Sequence, residues 1–307
     1  MGWTVRDIPE LKGRAAVVTG ANSGLGYVTA LELARHGARV VLACRDQRRG
    51  QAALDRLLGE VPEADAELRL LDLADLASVR AFAEDWGGRR LDILVNNAGL
   101  MAIPRSRTAD GFETQFGVNH LGHFALTGLL LEGLLAAPAA RVVTVSSLLH
   151  WVANVDLRDL NAERKYRRWV AYGRSKTANL LFTHELARRL SGSGVVAAAV
   201  HPGYAETELQ TKGPRLAGSS FQERGTALLT RLVASSPDVG AAPTLFAATA
   251  PDVAPDSFTG PSILGRRTLR GGPGGPLRAP WTRDDAVSAR LWSASEELTG
   301  VRYVRHA

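Results

Sequence analysis

Over its first 200 residues the chain alternates short apolar runs with segments of helical period, and this alternation restricts the fold more than any other feature. The runs at 15–18, 39–43, 67–71, 93–95, 142–145 and 195–200 are mostly continuous rather than alternating, the pattern of strands covered on both faces. Between them, 25–35, 48–58, 76–86, 112–136 and 170–190 carry apolar residues at helical spacing. Strand–helix steps repeated without an internal linker predict one α/β domain with a doubly wound parallel sheet. The core is expected over about 13–207. Beyond it the alternation decays: 202–220 holds turn formers, 271–276 is a Gly/Pro loop, and 283–298 predicts a last amphipathic helix stopped by Gly300. A lid over about 204–236 and a C-terminal helix and tail over about 265–307 complete the expected layout.

Composition excludes whole classes of protein. With 307 residues, 45% apolar and 22% charged, the chain is neither disordered, collagen-like nor a small disulfide scaffold. Its net charge of +6 is scattered. The densest basic stretch, Arg164, Lys165, Arg167 and Arg168, reads as a solvated surface, so no nucleic-acid partner is expected. The single cysteine, Cys44, forbids an intramolecular disulfide and fits a reducing compartment. No apolar run approaches the roughly 18 residues of a membrane span, and residues 1–10 lack the apolar core of a signal peptide. A cytoplasmic protein without a membrane anchor is expected.

After the first strand comes Thr19-Gly20-Ala21-Asn22-Ser23-Gly24-Leu25-Gly26, running straight into a helix. Glycines let a backbone approach a bound pyrophosphate, and a helix N-terminus offers free N–H groups with a partial positive charge. The second strand ends Leu42-Ala43-Cys44-Arg45. A dinucleotide site for NAD usually places an acid there, on the ribose 2′-hydroxyl. A guanidinium suits a 2′-phosphate instead, so Arg45 points to NADP; a surface ion pair with Asp46 is the competing explanation.

Farther on, Tyr172 precedes Lys176 by four positions, which on a helix places both on one face. Only four lysines occur in the chain, so a paired one stands out. Val145-Ser146-Ser147 closes an upstream strand and His201-Pro202-Gly203 follows the next, and strand ends are where such folds build sites.

At these residues the chain resembles the short-chain dehydrogenase/reductase family, in its Tyr-x-x-x-Lys branch. The resemblance runs through Thr19–Gly26, Asp72-Leu73, Asn96-Asn97-Ala98-Gly99, Asn119, Ser147, Tyr172/Lys176 and Pro202-Gly203. Ala21-Asn22-Ser23-Gly24, Ala43-Cys44-Arg45 and Val118-Asn119-His120-Leu121-Gly122-His123-Phe124 look closer still to the retinol-dehydrogenase-like group, which includes WW-domain oxidoreductases and protochlorophyllide reductases. Many animal members begin with a membrane anchor; none is read here, and a retinoid substrate is not carried over.

The resemblance implies a Rossmann fold, an NADP(H) cofactor and no metal. Tyr172 would exchange a proton with the substrate oxygen, Ser147 (rather than Ser146) would hydrogen-bond that oxygen, and Asn119 would hold a water in relay with Lys176. Gly20, Asn22, Ser23, Gly24, Leu25, Gly26, Arg45, Asp72, Leu73, Asn97, Ala98, Gly99, Tyr172, Lys176, Pro202, Gly203 and Thr207 would hold the cofactor. A phenol needs lowering by about three units to act as a base at neutral pH; an ammonium about 4 Å away at an effective dielectric near 20 supplies roughly that. The implied activity is carbonyl–alcohol interconversion on a lipophilic or polycyclic molecule. Reduction of an activated C=C bond and a non-catalytic NADP-binding role are the alternatives. The substrate would be faced by 204–232, 100–107 and 148–154, with Met101, Arg105, Trp151 and Phe221 among them. His120 and His123 would be helix-packing residues. The apolar surplus on 112–136 and 170–190 predicts a homodimer or homotetramer paired through those helices.

Overall fold

The computed structural model describes residues 3–203, 237–261 and 278–303. Among them a seven-stranded, all-parallel sheet runs in the order β3-β2-β1-β4-β5-β6-β7. The strands are β1 Ala15–Thr19, β2 Arg39–Cys44, β3 Ala66–Leu70, β4 Ile93–Asn96, β5 Arg141–Val145, β6 Val196–Val200 and β7 Phe258–Thr259. The order reverses after β1, so the crevice at the C-terminal ends of β1 and β4 is the switch point where such sheets bind ligands. The doubly wound sheet and single domain read from the sequence are therefore the observed architecture.

Helices cover both faces. On one side lie α1 Gly24–Arg35, α2 Gln47–Glu60 and α8 Pro237–Thr249; on the other lie α3 Leu76–Trp86, α5 Gly122–Leu129, α7 Arg168–Arg189 and α9 Asp285–Thr299. Local chemistry sets the ends. Asp46 caps α2 by accepting from Arg49 N at 2.8 Å, and Asp75 caps α3 by accepting from Ala77 N at 2.9 Å. Gly300, at φ +65°, closes α9 in the left-handed conformation that glycine adopts freely.

Three features differ from the sequence expectation. The single helix expected over 112–136 is broken into α4 Thr114–Phe116, a π-helical turn Gly117–Leu121, α5 and α6 Leu131–Leu135. Second, β7 and α8 carried no usable signal: β7 has two residues, and α8 is alanine-rich with Pro243 inside. The expected lid at 204–236, with Thr207 and Phe221, and residues 265–277 and 304–307 of the expected C-terminal region lie outside the described residues.

The third concerns the apolar surplus from which a homo-oligomer was expected. The surplus apolar side chains of α5 and α7 are covered by the chain's own α9. Trp292, 2% exposed, lies 5.0 Å from Phe124 and is stacked at 5.9 Å on Phe182 (ring centroids). Tyr303 donates to Phe124 O at 2.7 Å, and Arg80 Nη2 donates to Thr299 O at 2.7 Å. Trp292→Ala should therefore cost about 3–5 kcal/mol, the usual cost of emptying a large aromatic site. Urea unfolding checks this, and a loss below about 1 kcal/mol would mean that α9 merely rests on the surface.

Candidate active site

The C-terminal ends of β1, β4, β5 and β6 open into a cavity of about 410 Å³. Every candidate site residue read from the sequence lines it except Asn119, which is buried behind its wall, and Thr207, which lies outside the described residues. Cavity-lining residues missed by sequence reasoning include Arg49, Leu71 and Val118. For Arg49 a signal existed: Asp46 is a helix cap, and the third residue after a cap lies on the first turn, beside Arg45.

At the nucleotide end, α1 begins at Gly24 with Ser23 as an N-cap whose side chain makes no capping bond. The first-turn amides have no partner within the helix. Gly26 is required by crowding, since a Cβ there would meet Asn97 Nδ2 and Gly20 O at 2.5 Å. Gly20, at φ +66°, sits where a Cβ would lie 3.0 Å from Ala98 Cβ. Arg45 is exposed at the cavity edge, and the Asp46 carboxylate caps α2 rather than serving as an acid at the strand end. Asp72 accepts from Ala74 N at 2.9 Å, which holds the turn that presents Leu71 and Leu73.

At the other end, α7 presents Tyr172 and Lys176 on one face, both nearly fully buried at 4% and 3% exposed. Ser147 hydrogen-bonds the Tyr172 phenol, and its Oγ accepts from Leu149 N at 3.1 Å. Ser146 instead donates to the Lys176 main-chain oxygen at 2.8 Å. The two serines are thus distinguished: one faces the phenol, the other braces the helix. Lys176 Nζ donates to Val145 O at 3.0 Å and lies 5.7 Å from the centroid of the Tyr172 ring.

The expected lowering of the phenol by Lys176 is not what the geometry produces. Burial pushes Tyr172 up to about 12, and the opposing influence is the Ser147 hydrogen bond. Burial also pushes the Lys176 ammonium down to about 8. Both groups are driven towards their neutral forms.

Asn119 lies on the π-helical turn. Its Oδ1 accepts from Leu100 N at 2.7 Å, while Nδ2 donates to Leu100 O at 2.9 Å and to Ser175 Oγ at 2.9 Å. Its side chain is committed to shaping the wall at Leu100. The two histidines are packing residues, as expected: His120 stacks on Phe116 at 5.2 Å and meets Ser295 Oγ at 2.9 Å, and His123 meets Thr19 Oγ1 at 2.9 Å. No metal-binding cluster occurs among the described residues, and none of their helices is long and apolar enough to cross a membrane. Met101, Leu148 and Leu149 line the substrate side of the cavity; Arg105 does not, and pairs with Glu163 at 2.6 Å.

A family model described as short chain dehydrogenase matches residues 14–215. Human retinol dehydrogenase 13 is 44% identical over 294 residues, covering 95% of this chain and 86% of that protein. Human retinol dehydrogenase 12 is 42% identical over 308 residues, covering 98% and 91%. A crystal structure of an uncharacterized protein from Mycobacterium paratuberculosis superimposes with a TM-score of 0.81 at 45% identity, covering 99% of this chain and 100% of that one. A crystal structure of a putative NAD(P) dependent gluconate 5-dehydrogenase from Beutenbergia cavernae, with NADP bound at low occupancy, superimposes with a TM-score of 0.64 at 28% identity, covering 82% of this chain and 96% of that one. The chain belongs to the short-chain dehydrogenase family, and it is an oxidoreductase of that type.

The buried ammonium has a measurable consequence. Folded Lys176 binds its proton more weakly, near 8, than its ordinary 10.5, so its charge opposes folding at pH 7 and the penalty fades as pH rises from 8 towards 10.5. In the cofactor-free protein Lys176→Met should raise stability at pH 7, by up to about 3 kcal/mol, with no gain at pH 11. Val145 O keeps a donor in Asn179 Nδ2 at 3.1 Å. A variant less stable than wild type in urea at pH 7 would show that the ammonium is well solvated.

Proposed function

We propose that the protein is an NADP(H)-dependent oxidoreductase that interconverts a carbonyl and an alcohol on a lipophilic small molecule. The observation that carries this is the convergence of Ser147, Tyr172 and Lys176 on one cavity whose far end is a glycine-edged helix N-terminus with Arg45 beside it. The residues fit the dinucleotide that the family implies: the cradle at Gly20 and Gly26 has no room for a Cβ, and the amides of α1 face it. Gly20, Asn22, Ser23, Gly24, Leu25 and Gly26 would hold the pyrophosphate. Asp72 and Leu73 would flank the adenine, and Asn97, Ala98, Gly99, Pro202 and Gly203 would line the nicotinamide side, with Thr207 proposed from the family pattern. When bound, the nicotinamide supplies or accepts the hydride.

The chain's own residues handle the proton. Ser147 orients the substrate oxygen towards Tyr172, and the phenol donates its proton to that oxygen in reduction. Burial holds the Tyr172 phenol up to about 12, so at neutral pH it carries the proton that it would donate. Lys176 would take a ribose hydroxyl and recharge the tyrosine through a water; Asn119, both of whose Nδ2 hydrogens serve Leu100 O and Ser175 Oγ, would hold that water as an acceptor. Leu100, Met101, Leu148 and Leu149 give the substrate an apolar wall. The names of the retinol dehydrogenase relatives support a lipophilic substrate, and the free, buried Cys44 supports a reducing, cytoplasmic setting. A homodimer or homotetramer paired through the helices of 112–136 and 170–190 is proposed from the family pattern.

Tyr172→Phe should reduce turnover at least about 1000-fold while NADPH affinity stays within about twofold, because the ring remains and only the donor is lost. Stopped assays on a carbonyl panel, with product analysis, test the assignment; a saturated ketone as product would favour C=C reduction instead. Retained turnover in Tyr172→Phe would end the catalytic reading.

The coenzyme is tested separately at Arg45. A charge-assisted bond to a 2′-phosphate corresponds to roughly a 10- to 150-fold preference in kcat/KM for NADPH over NADH. Arg45→Asp should erase or invert that ratio and leave kcat with NADH similar. An unchanged ratio would make Arg45 a surface cation.

A further inference from the structure

The basic stretch between Ser147 and Tyr172 has no part in the chemistry above, yet its one aromatic residue reaches the substrate wall. Tyr166 donates to Ile103 O at 2.8 Å and accepts from Gln115 Nε2 at 2.8 Å. The second hydrogen of that amide goes to Arg168 O, at the start of α7, at 3.0 Å, and Gln115 Oε1 accepts from Ala102 N at 2.7 Å. Gln115 is fully buried, and Ala102 and Ile103 are 4% exposed. Every polar atom of the Gln115 amide is used, so no neighbouring group can replace the Tyr166 hydroxyl without movement.

The segment so held is under strain. Ala102 lies at φ +50°, a left-handed conformation that alanine does not adopt unaided. On one side of it Leu100 is fixed by Asn119 through both its N–H and its C=O. On the other side, Arg105 and Arg107 pair with Glu163 at 2.6 and 2.7 Å, and Glu113 N donates to Asn161 Oδ1 at 3.0 Å. Met101, between the Asn119 and Gln115 anchors, lines the cavity. Burial and the neighbouring Glu113 raise the Tyr166 phenol, which keeps it a donor.

We infer that Tyr166, acting through Gln115, is a positioning residue that sets the depth of the substrate wall at residues 100–103 and so selects for bulky lipophilic carbonyl compounds. This rests on the oxidoreductase function proposed above. It makes the segment before α7 a substrate-shaping element tied to the start of the helix that bears Tyr172. Wall and proton donor are thereby kept at a fixed separation.

The test uses full-length Tyr166→Phe with NADPH and two probes, all-trans-retinaldehyde and benzaldehyde, with Gln115→Leu as a second variant. Tyr166→Phe keeps the ring and removes only the hydroxyl. The expected result is a KM for retinaldehyde raised at least 10-fold, with kcat/KM for benzaldehyde and NADPH affinity within twofold of wild type. Backbone hydrogen exchange of the NADPH-bound protein should rise at least 10-fold in residues 100–106 and stay unchanged in residues 19–26. Equal losses on both aldehydes, weakened NADPH binding in proportion, or unchanged exchange at 100–106 would each overturn the clamp. A wild type that turns over neither these probes nor any other carbonyl would instead sink the proposed function, and the exchange result would then decide the clamp alone.

Discussion

The hydroxyl of Thr19, fully buried at the end of β1, takes hydrogen bonds from the Asn97 and Ala98 amides at 2.9 Å each and meets His123 Nε2 at 2.9 Å. His123 Nδ1 faces the Asn119 carbonyl at 3.1 Å, and a carbonyl only accepts, so Nδ1 carries the proton. Burial holds the ring's pKa down to about 4, which keeps it neutral and leaves Nε2 an acceptor. Thr19 donates to it, with Val95 O a second, longer acceptor at 3.3 Å, and its two lone pairs serve the two amides. Three segments from distant parts of the chain, β1, the turn after β4 and the π-helical turn, are held in one register by a residue at the cavity wall. Gly26 fits against the same point, because Asn97 Nδ2 donates to Thr19 O at 2.8 Å and leaves no space for a side chain above it.

That rigidity explains how the fold can bury Tyr172 and Lys176 together. Each loses hydration that its charged form needs, and neither gains a countercharge among the described residues that contact it. Lys176 is satisfied by a main-chain carbonyl, which stabilises an ammonium far less than a carboxylate does. The balance of the two effects follows: desolvation wins, the phenol rises and the ammonium falls. A ligand that brings hydroxyls and negative phosphates into this cavity restores what burial removed. The free protein thus holds its binding site in a destabilised state that a ligand relieves, a common trade between stability and activity.

Most of the fold was legible because its signals are local and repeated. Six strands and the helices α1, α2, α3, α7 and α9 show their period within one element, and the glycine turn and the Tyr172/Lys176 spacing carry their meaning in sequence order. What stayed hidden depends on contacts between distant segments. The π-helical turn at Gly117–Leu121 adds one residue to a helix whose apolar period continues through it, so nothing in the period marks the break. The phenol's upward shift depends on where Lys176 Nζ comes to rest, and spacing on a helix fixes the side but not the atom it bonds. Tyr166 was invisible for a similar reason, since its partners Ile103 and Gln115 are 63 and 51 residues away.

Part of the apolar surplus on α5 and α7 finds its cover within the chain itself. A helix packed on a sheet needs one apolar stripe, and a second stripe states only that something else covers it. Here the cover arrives from the far end of the same chain. Burying Trp292 between Phe124 and Phe182 satisfies that part of the surplus, and Arg189 lies over the outer face of the indole at 4.5 Å. The contact does more than hide apolar surface. Ser295 of α9 bonds His120, and His120 sits on the π-helical turn beside Asn119. The C-terminal helix therefore braces the back of the turn whose front shapes the cavity wall. In this chain the covering of α5 and α7 and the support of the site are one contact, made by the last helix that the structure describes.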